Sequence, residues 1–172
     1  MSKNDTIRIK IDDIIRRIET FGHIRHINRI NKDTKELEDL FFSFNPIEIL
    51  QDELTVDEEK LLEYEKNIVI PQIQYKLYDI LNHLVNDNSS RQAIIYNPMT
   101  KDVFKFPCLS VFHFLITDNE LNLKVFIRSS DVKKNLFVDC WFLSEMLKTL
   151  TDNLKIKMGR ITLFLSSVHI YE

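Results

Sequence analysis

Between Pro107 and Asp139 the chain concentrates side chains able to do chemistry. Cys108 follows Pro107 at the mouth of a strand, Arg128-Ser129-Ser130-Asp131 follows a hairpin, and Asp139 enters an apolar helix. Ser89-Ser90-Arg91 precedes an earlier strand, and His169-Ile170-Tyr171 closes the last one. A cysteine acts as a nucleophile through its thiolate, which nearby cations or donors must favour. Arg91 and Arg128 are permanently charged guanidiniums that can grip an oxyanion through two donors. On residue type alone Cys108 stays ambiguous, because a lone cysteine is most often a small buried hydrophobe. The two arginines equally fit ordinary ion-paired surface positions.

The elements that must position these groups are outlined by hydrophobic spacing. Cys108–Ile116 and Leu121–Ile127 read as strands joined by a turn at Thr117-Asp118-Asn119-Glu120. Leu136–Leu150 is apolar nearly all round, which predicts a buried central helix. A last strand spans Arg160–Tyr171, after Gly159. Upstream, Ile73, Leu77, Ile80, Leu81, Leu84 and Val85 follow the helical period, and Asp87-Asn88-Ser89-Ser90 ends that helix. Arg91–Tyr96 and Leu37–Phe44 read as strands, each ended by Asn-Pro. Ile11, Ile14, Ile15 and Ile18 share one helical face, and Thr55-Val56-Asp57-Glu58 fits a capping box before an acidic helix. The stretch 21–33, with His23, Arg25, His26 and Arg29, either reaches a phosphate or forms a solvated surface, and the second is expected. Its histidines have no Asp, Glu or Cys at ligand spacing, so no metal site is expected. The order predicts an α+β fold, a mixed sheet packed on a buried central helix, in a single domain over residues 1–172.

The whole-chain figures narrow the function classes. A chain of 172 residues with 44% hydrophobic residues can bury a sizeable core. Two glycines argue against glycine-rich phosphate loops, and a net charge of -3 provides no broad basic field for nucleic acid. No apolar run reaches the ~18–20 residues of a membrane span. The N-terminus, MSKNDTIRIKIDD, lacks the apolar core of a signal peptide, and the two cysteines have no metal-ligand spacing. A reducing, cytoplasmic setting with free thiols is expected.

Taken together, Ser90-Arg91, Pro107-Cys108, Phe112-His113-Phe114, Arg128-Ser129-Ser130-Asp131-Val132 and His169-Ile170-Tyr171 resemble the thymidylate synthase family, which includes the phage dCMP hydroxymethylases. That family runs S-R-R, P-C-H, F-Q-F, R-S-x-D-V, G-L-P-F-N and H-x-Y in this order. Residues 72–171 carry the resemblance best, and the N-terminal part is reduced. The resemblance implies that Cys108 attacks C6 of a pyrimidine and makes C5 a carbon nucleophile. It implies that Arg128 and Ser129 hold the nucleotide phosphate and that Arg91 reaches the partner subunit's phosphate in a homodimer. Asp131 would meet the base through its backbone, and His169 with Tyr171 would hold the sugar hydroxyl. Asp139 stands where thymidylate synthases have Asn. A carboxylate accepts from an amino group such as that of cytosine, and the dCMP hydroxymethylases carry Asp here and Ser near Ser167. A cytosine nucleotide, dCMP, is therefore the favoured pyrimidine nucleoside monophosphate.

Several positions depart from the family pattern. Pro-Cys-His becomes Pro107-Cys108-Leu109, F-Q-F becomes Phe112-His113-Phe114, and the second phosphate arginine is Gln92. Strict register puts Lys60 at the family's catalytic glutamate, and Glu59 is about 100° away on a helix. The aromatic and glycine-rich folate segment is absent after this helix, and the sequence ends at Glu172, before the family's closing tail. Two readings follow. One is a methylenetetrahydrofolate-dependent C5 methyl- or hydroxymethyltransferase with Cys108 and Glu59 catalytic. The other is a catalytically degenerate member, a pseudoenzyme, that binds a nucleotide or a protein partner. A structural dimer with an idle site is a third.

Overall fold

The computed structural model describes residues 7–51, 73–97 and 107–171. The expected acidic helix, with Thr55, Glu59 and Lys60, lies outside the described residues. Helix α1 (Ile7–Phe21) buries Ile7, Ile11, Ile14 and Ile18, a spacing of four, three and four that makes one face. It extends the expected face of Ile11, Ile14 and Ile18 back to Ile7 and leaves Ile15 only partly buried. Gly22 turns the chain into β1 (His23–Ile27), which pairs antiparallel with β2 (Lys32–Phe44). A Cβ at Gly22 would lie 2.5 Å from the Ile18 carbonyl oxygen, so the close approach of helix and hairpin needs glycine there. Short α2 (Pro46–Leu50) is capped by the Asn45 side chain, which accepts from the Ile47 amide.

Helix α3 (Gln74–Asn86) leads through a loop to β3 (Ile94–Tyr96). Strand β3 is shorter than the expected Arg91–Tyr96, leaving Arg91 in the loop. Strands β4 (Leu109–Thr117) and β5 (Glu120–Ile127) form the expected hairpin, with Asp118 and Asn119 at positive φ in its two-residue turn. Cys108 lies just outside β4, where its carbonyl accepts from the Arg128 amide at 2.9 Å. Strand β6 (Ser130–Asp131), helix α4 (Leu136–Leu154) and β7 (Lys157–Tyr171) complete the described chain.

The seven described strands form one sheet in the order β1-β2-β7-β5-β4-β3, with β6 also beside β7. Pairing is antiparallel except for β5 and β6 against β7. The fold is α+β, as expected: α4 buries Leu136, Cys140, Leu143 and Leu147 completely in the core. Burying each such leucine contributes roughly 1.5–3 kcal/mol.

The pleat of the central pair changes phase near the end that carries the site. On β7 the core takes Ile161, Leu163 and Leu165, then Val168 and Ile170. On β2 it takes Leu37, then Leu40, Phe42 and Phe44. The two shifts lie opposite each other, around Asp39 at φ 55° and Ser166-Ser167, so the register is kept from Thr34↔Tyr171 to Phe44↔Ile161. Beyond the shift, Glu36, Ser167, His169 and Tyr171 face away from the core.

The same outer face carries a row of side chains in direct cross-strand register: Phe41, Phe164, Phe126, Val111 and Tyr96. Phe41 and Phe164 meet edge to face at 4.7 Å. Both stay about half exposed, as do Phe126 and Tyr96. Exposed apolar patches of this continuity mark interaction surfaces.

Candidate active site

At the kinked end of the sheet a cavity of about 790 Å³ opens between β1, β2, β7 and the loops after β3 and β5. Six of the expected residues line it: Cys108, Arg128, Ser129, Asp131, His169 and Tyr171. They converge because the ladder between β5, β6 and β7 runs parallel. The end of β5 delivers Arg128 and Ser129 beside the end of β7, and β6 sets Asp131 opposite His169. Arg128 Nη2 lies 3.6 Å from Cys108 Sγ. Ser129 Oγ and His169 Nδ1 are 3.3 Å apart. The Asp131 carboxylate accepts from the Lys134 amide at 3.2 Å and faces its ammonium at 3.8 Å. The rings of His169 and Tyr171 meet edge to face at 5.2 Å, with the Lys134 ammonium over Tyr171.

The Cys108 thiol opens to the cavity, yet the surrounding walls withdraw it from bulk water. That desolvation pushes its pKa above the usual thiol value. The Arg128 guanidinium pulls it back down, and the Asp139 carboxylate pushes it up. Burial holds His169 below the usual imidazole range, against the opposing fields of Asp131 and Glu36. Its imidazole is thus neutral near pH 7 and can either donate or accept.

Three expected site residues stand apart from this group. Asp139 is buried in the first turn of α4, does not line the cavity, and acts on both Cys108 and Cys140 through its charge. Arg91 precedes β3, the strand at the opposite side of the sheet from β1, and does not line the cavity. Glu59 lies outside the described residues.

The β1–β2 hairpin supplies a wall that was not expected. Arg25, Arg29, Thr34, Glu36, Glu38 and Asp39 all line the cavity, so the basic stretch is part of the site and not only a solvated surface. Thr34 and Glu36 are the buried members, and Glu36 is 3% exposed. The Glu36 carboxylate pairs with the Arg25 guanidinium and accepts from Ser167 Oγ at 2.9 Å. Arg25 also reaches Glu38 at 2.7 Å. His23 Nε2, 3.5 Å from Glu36, completes a His-Glu-Glu cluster whose ligand atoms lie within 4.8 Å of one another. Ligand spacing along the chain missed this cluster, because the acidic partners come from across the hairpin. Arg25 bridges the two carboxylates with its single positive charge, which makes the cluster an ion-pair network. The alternation of Thr34, Glu36 and Glu38 opposite His23 and Arg25 was the available signal.

The site thus sets a cysteine, an arginine and a serine together at the ends of parallel strands of a mixed α+β sheet. The family model described as thymidylate synthase matches residues 52–172, and the chain belongs to that family. Two curated proteins named "Putative thymidylate synthase" are similar to it. The one from Methanosarcina barkeri is 29% identical over 106 residues, covering 60% of this chain and 47% of that protein. The one from Methanococcoides burtonii is 27% identical over 106 residues with the same coverage. The matched stretch thus spans about half the length of these relatives.

Proposed function

We propose that the cavity binds a pyrimidine nucleoside monophosphate, with dCMP favoured, and that the Cys108 thiolate adds to C6 of the base. The observation that carries this is Cys108 Sγ at 3.6 Å from Arg128, inside a cavity that also holds Ser129 and His169. Arg128 and Ser129 bind the phosphate, the Asp131 backbone meets the base, and His169 with Tyr171 hold the sugar hydroxyl. Asp139 does not line the described cavity but acts on Cys108 through its charge, and in this reading it sets the cytosine preference by accepting from the amino group of a base seated against that thiol. When the S–C6 bond forms, the C5–C6 π pair moves to C5, which then takes a proton from water. Loss of the other C5 hydrogen as a proton and expulsion of the thiolate regenerate the base.

In the family that carbanion is trapped by methylenetetrahydrofolate, giving C5 methyl or hydroxymethyl transfer. The described cavity walls suit a phosphate and a sugar. Ile27 is their only aliphatic residue, so they offer no apolar wall for a pterin, and we derive no step through folate.

The exposed aromatic row on the outer face supports a homodimer. It lies on the face that carries the site and ends at Tyr96 on β3, and in this reading Arg91 of each copy reaches the other copy's phosphate. Among the described residues no helix is long and apolar enough to cross a membrane. Cys108 and Cys140 are both free, and a nucleophilic thiol suits a reducing, cytoplasmic setting. In this reading residues 1–172 work as a single domain.

Calorimetric titration with dCMP, dUMP and CMP, paired with tritium release from C5 of labelled dCMP, tests the proposal. The expected result is binding with dCMP preferred, and release that vanishes in Cys108→Ala. Binding without release would favour the second reading, a nucleotide-binding module. The raised thiol pKa of Cys108 is the observation on its side. No binding to any of the three would refute the nucleotide site.

A further inference from the structure

The loop that carries Arg91 is held from two sides. Asp87, after the last turn of α3, accepts from the Ser89 amide at 3.0 Å and from the Ser89 hydroxyl at 2.7 Å. Ser90, 8% exposed, accepts from the Gln92 amide at 3.1 Å. Its hydroxyl lies 2.6 Å from His83 Nε2, on α3. On the other side His113 Nε2, on β4, lies 3.1 Å from the Arg91 carbonyl oxygen. A carbonyl only accepts, so Nε2 of His113 carries the proton and donates. Two histidines from two elements therefore hold this loop, His83 through the Ser90 hydroxyl and His113 through the Arg91 backbone, while the Arg91 side chain is exposed.

We infer that His113 is a positioning residue for Arg91, with His83 as its counterpart on α3. This rests on the reading above, in which Arg91 reaches the phosphate bound in a second copy. An arginine side chain carries ~2 kcal/mol of rotamer entropy. Anchoring its backbone lowers the ordering cost when the guanidinium closes on an anion. The register places the clamp suitably. Ile94, His113, Lys124, Thr162 and Ser43 form the row next to the aromatic one, so His113 lies at the face assigned to the second copy. The substitution of His for the Gln of F-Q-F keeps an N–H donor at this point of the strand.

The test compares dCMP with deoxycytidine, which lacks the phosphate, by calorimetry on the full chain. The variants are Arg91→Ala, His113→Ala, His113→Gln and the double Arg91→Ala/His113→Ala. Arg91→Ala is expected to weaken dCMP binding about tenfold or more and to leave deoxycytidine unchanged. His113→Ala is expected to weaken dCMP about three- to tenfold, again without effect on deoxycytidine. His113→Gln should restore wild-type affinity, and the double variant should match Arg91→Ala alone. Equal losses for both ligands, or a His113 effect that persists without Arg91, would show a merely structural role and overturn the inference. So would wild-type dCMP affinity in His113→Ala while Arg91→Ala is impaired. An inert Arg91→Ala, or a wild-type protein that binds neither ligand, would instead remove the reading on which the inference rests, and the inference with it.

Discussion

Arg128 reaches back across the start of β4 to place its guanidinium 3.6 Å from the sulfur of Cys108. Two bonds at different levels hold this pair: the Arg128 amide donates to the Cys108 carbonyl, and the guanidinium faces the thiol. The main-chain bond holds the two residues side by side, within reach of the guanidinium-thiol contact.

The thiol pKa is set by opposing neighbours, so single substitutions should move it in opposite directions. Removing the cation in Arg128→Ala raises it further, and removing the carboxylate charge in Asp139→Asn lowers it. Iodoacetamide alkylation followed against pH reads this directly. Cys108 is the reporter, since Cys140 is fully buried. The alkylation midpoint should rise in the first variant and fall in the second. A shared direction would refute the assignment of these two neighbours.

Asp139→Asn should also change base preference. Exchanging an acceptor-only carboxylate for an amide removes a charge-assisted bond of roughly 1.5–3 kcal/mol to the cytosine amino group. That corresponds to about a 10- to 150-fold loss of dCMP affinity, with dUMP gaining relative to dCMP. An unchanged dCMP/dUMP ratio would show that Asp139 does not read the base.

The outer-face aromatic row should carry association. Phe126 lies in its middle and is 44% exposed, so Phe126→Lys can be accommodated without disturbing the core. Sedimentation should show a dimer for the wild type and a monomer for Phe126→Lys, with circular dichroism unchanged. A wild-type monomer at micromolar concentration would remove the cross-subunit role of Arg91.

His169 should make stability fall on the acid side. Its folded pKa lies below the ordinary 6.5, because burial disfavours the imidazolium. The unfolded chain therefore takes up more protons as pH drops through about 6.5, and stability is lost in that direction. Urea unfolding of wild type and His169→Gln at pH 7.5 and pH 5.5 measures it. The wild type should lose more stability than the variant between the two values, and equal losses would contradict the burial argument.

Much of the fold was legible because its strands and helices face hydrocarbon. The hairpin of β4 and β5, the central helix α4 and the helical face of α3 announce themselves through apolar spacing. The cysteine, the Arg-Ser-Ser-Asp turn and the His-Ile-Tyr end were legible as motifs, and the parallel ladder brings them together. The β1–β2 wall was not legible as part of the site. Its strands carry Thr34, Glu36, Glu38, His23 and Arg25 on the cavity side, so hydrophobic alternation has nothing to report. Only the cross-strand pairing reveals that Glu36 sits opposite both His23 and His169.

The matched pleat shifts on β2 and β7 make segment length a constraint in its own right. The chain from Leu37 to Leu40 spans three residues where strict alternation would use two or four. Removing or adding one residue on β2 alone would invert everything beyond it, turning Glu36 into hydrocarbon and Leu37 into water. Side chains at Glu38 and Asp39 can then drift with ligand chemistry, while the number of residues between the two leucines cannot. Natural variation in this hairpin is expected as exchange of residues at fixed length, and gaps are expected only in the turn at residues 28–31.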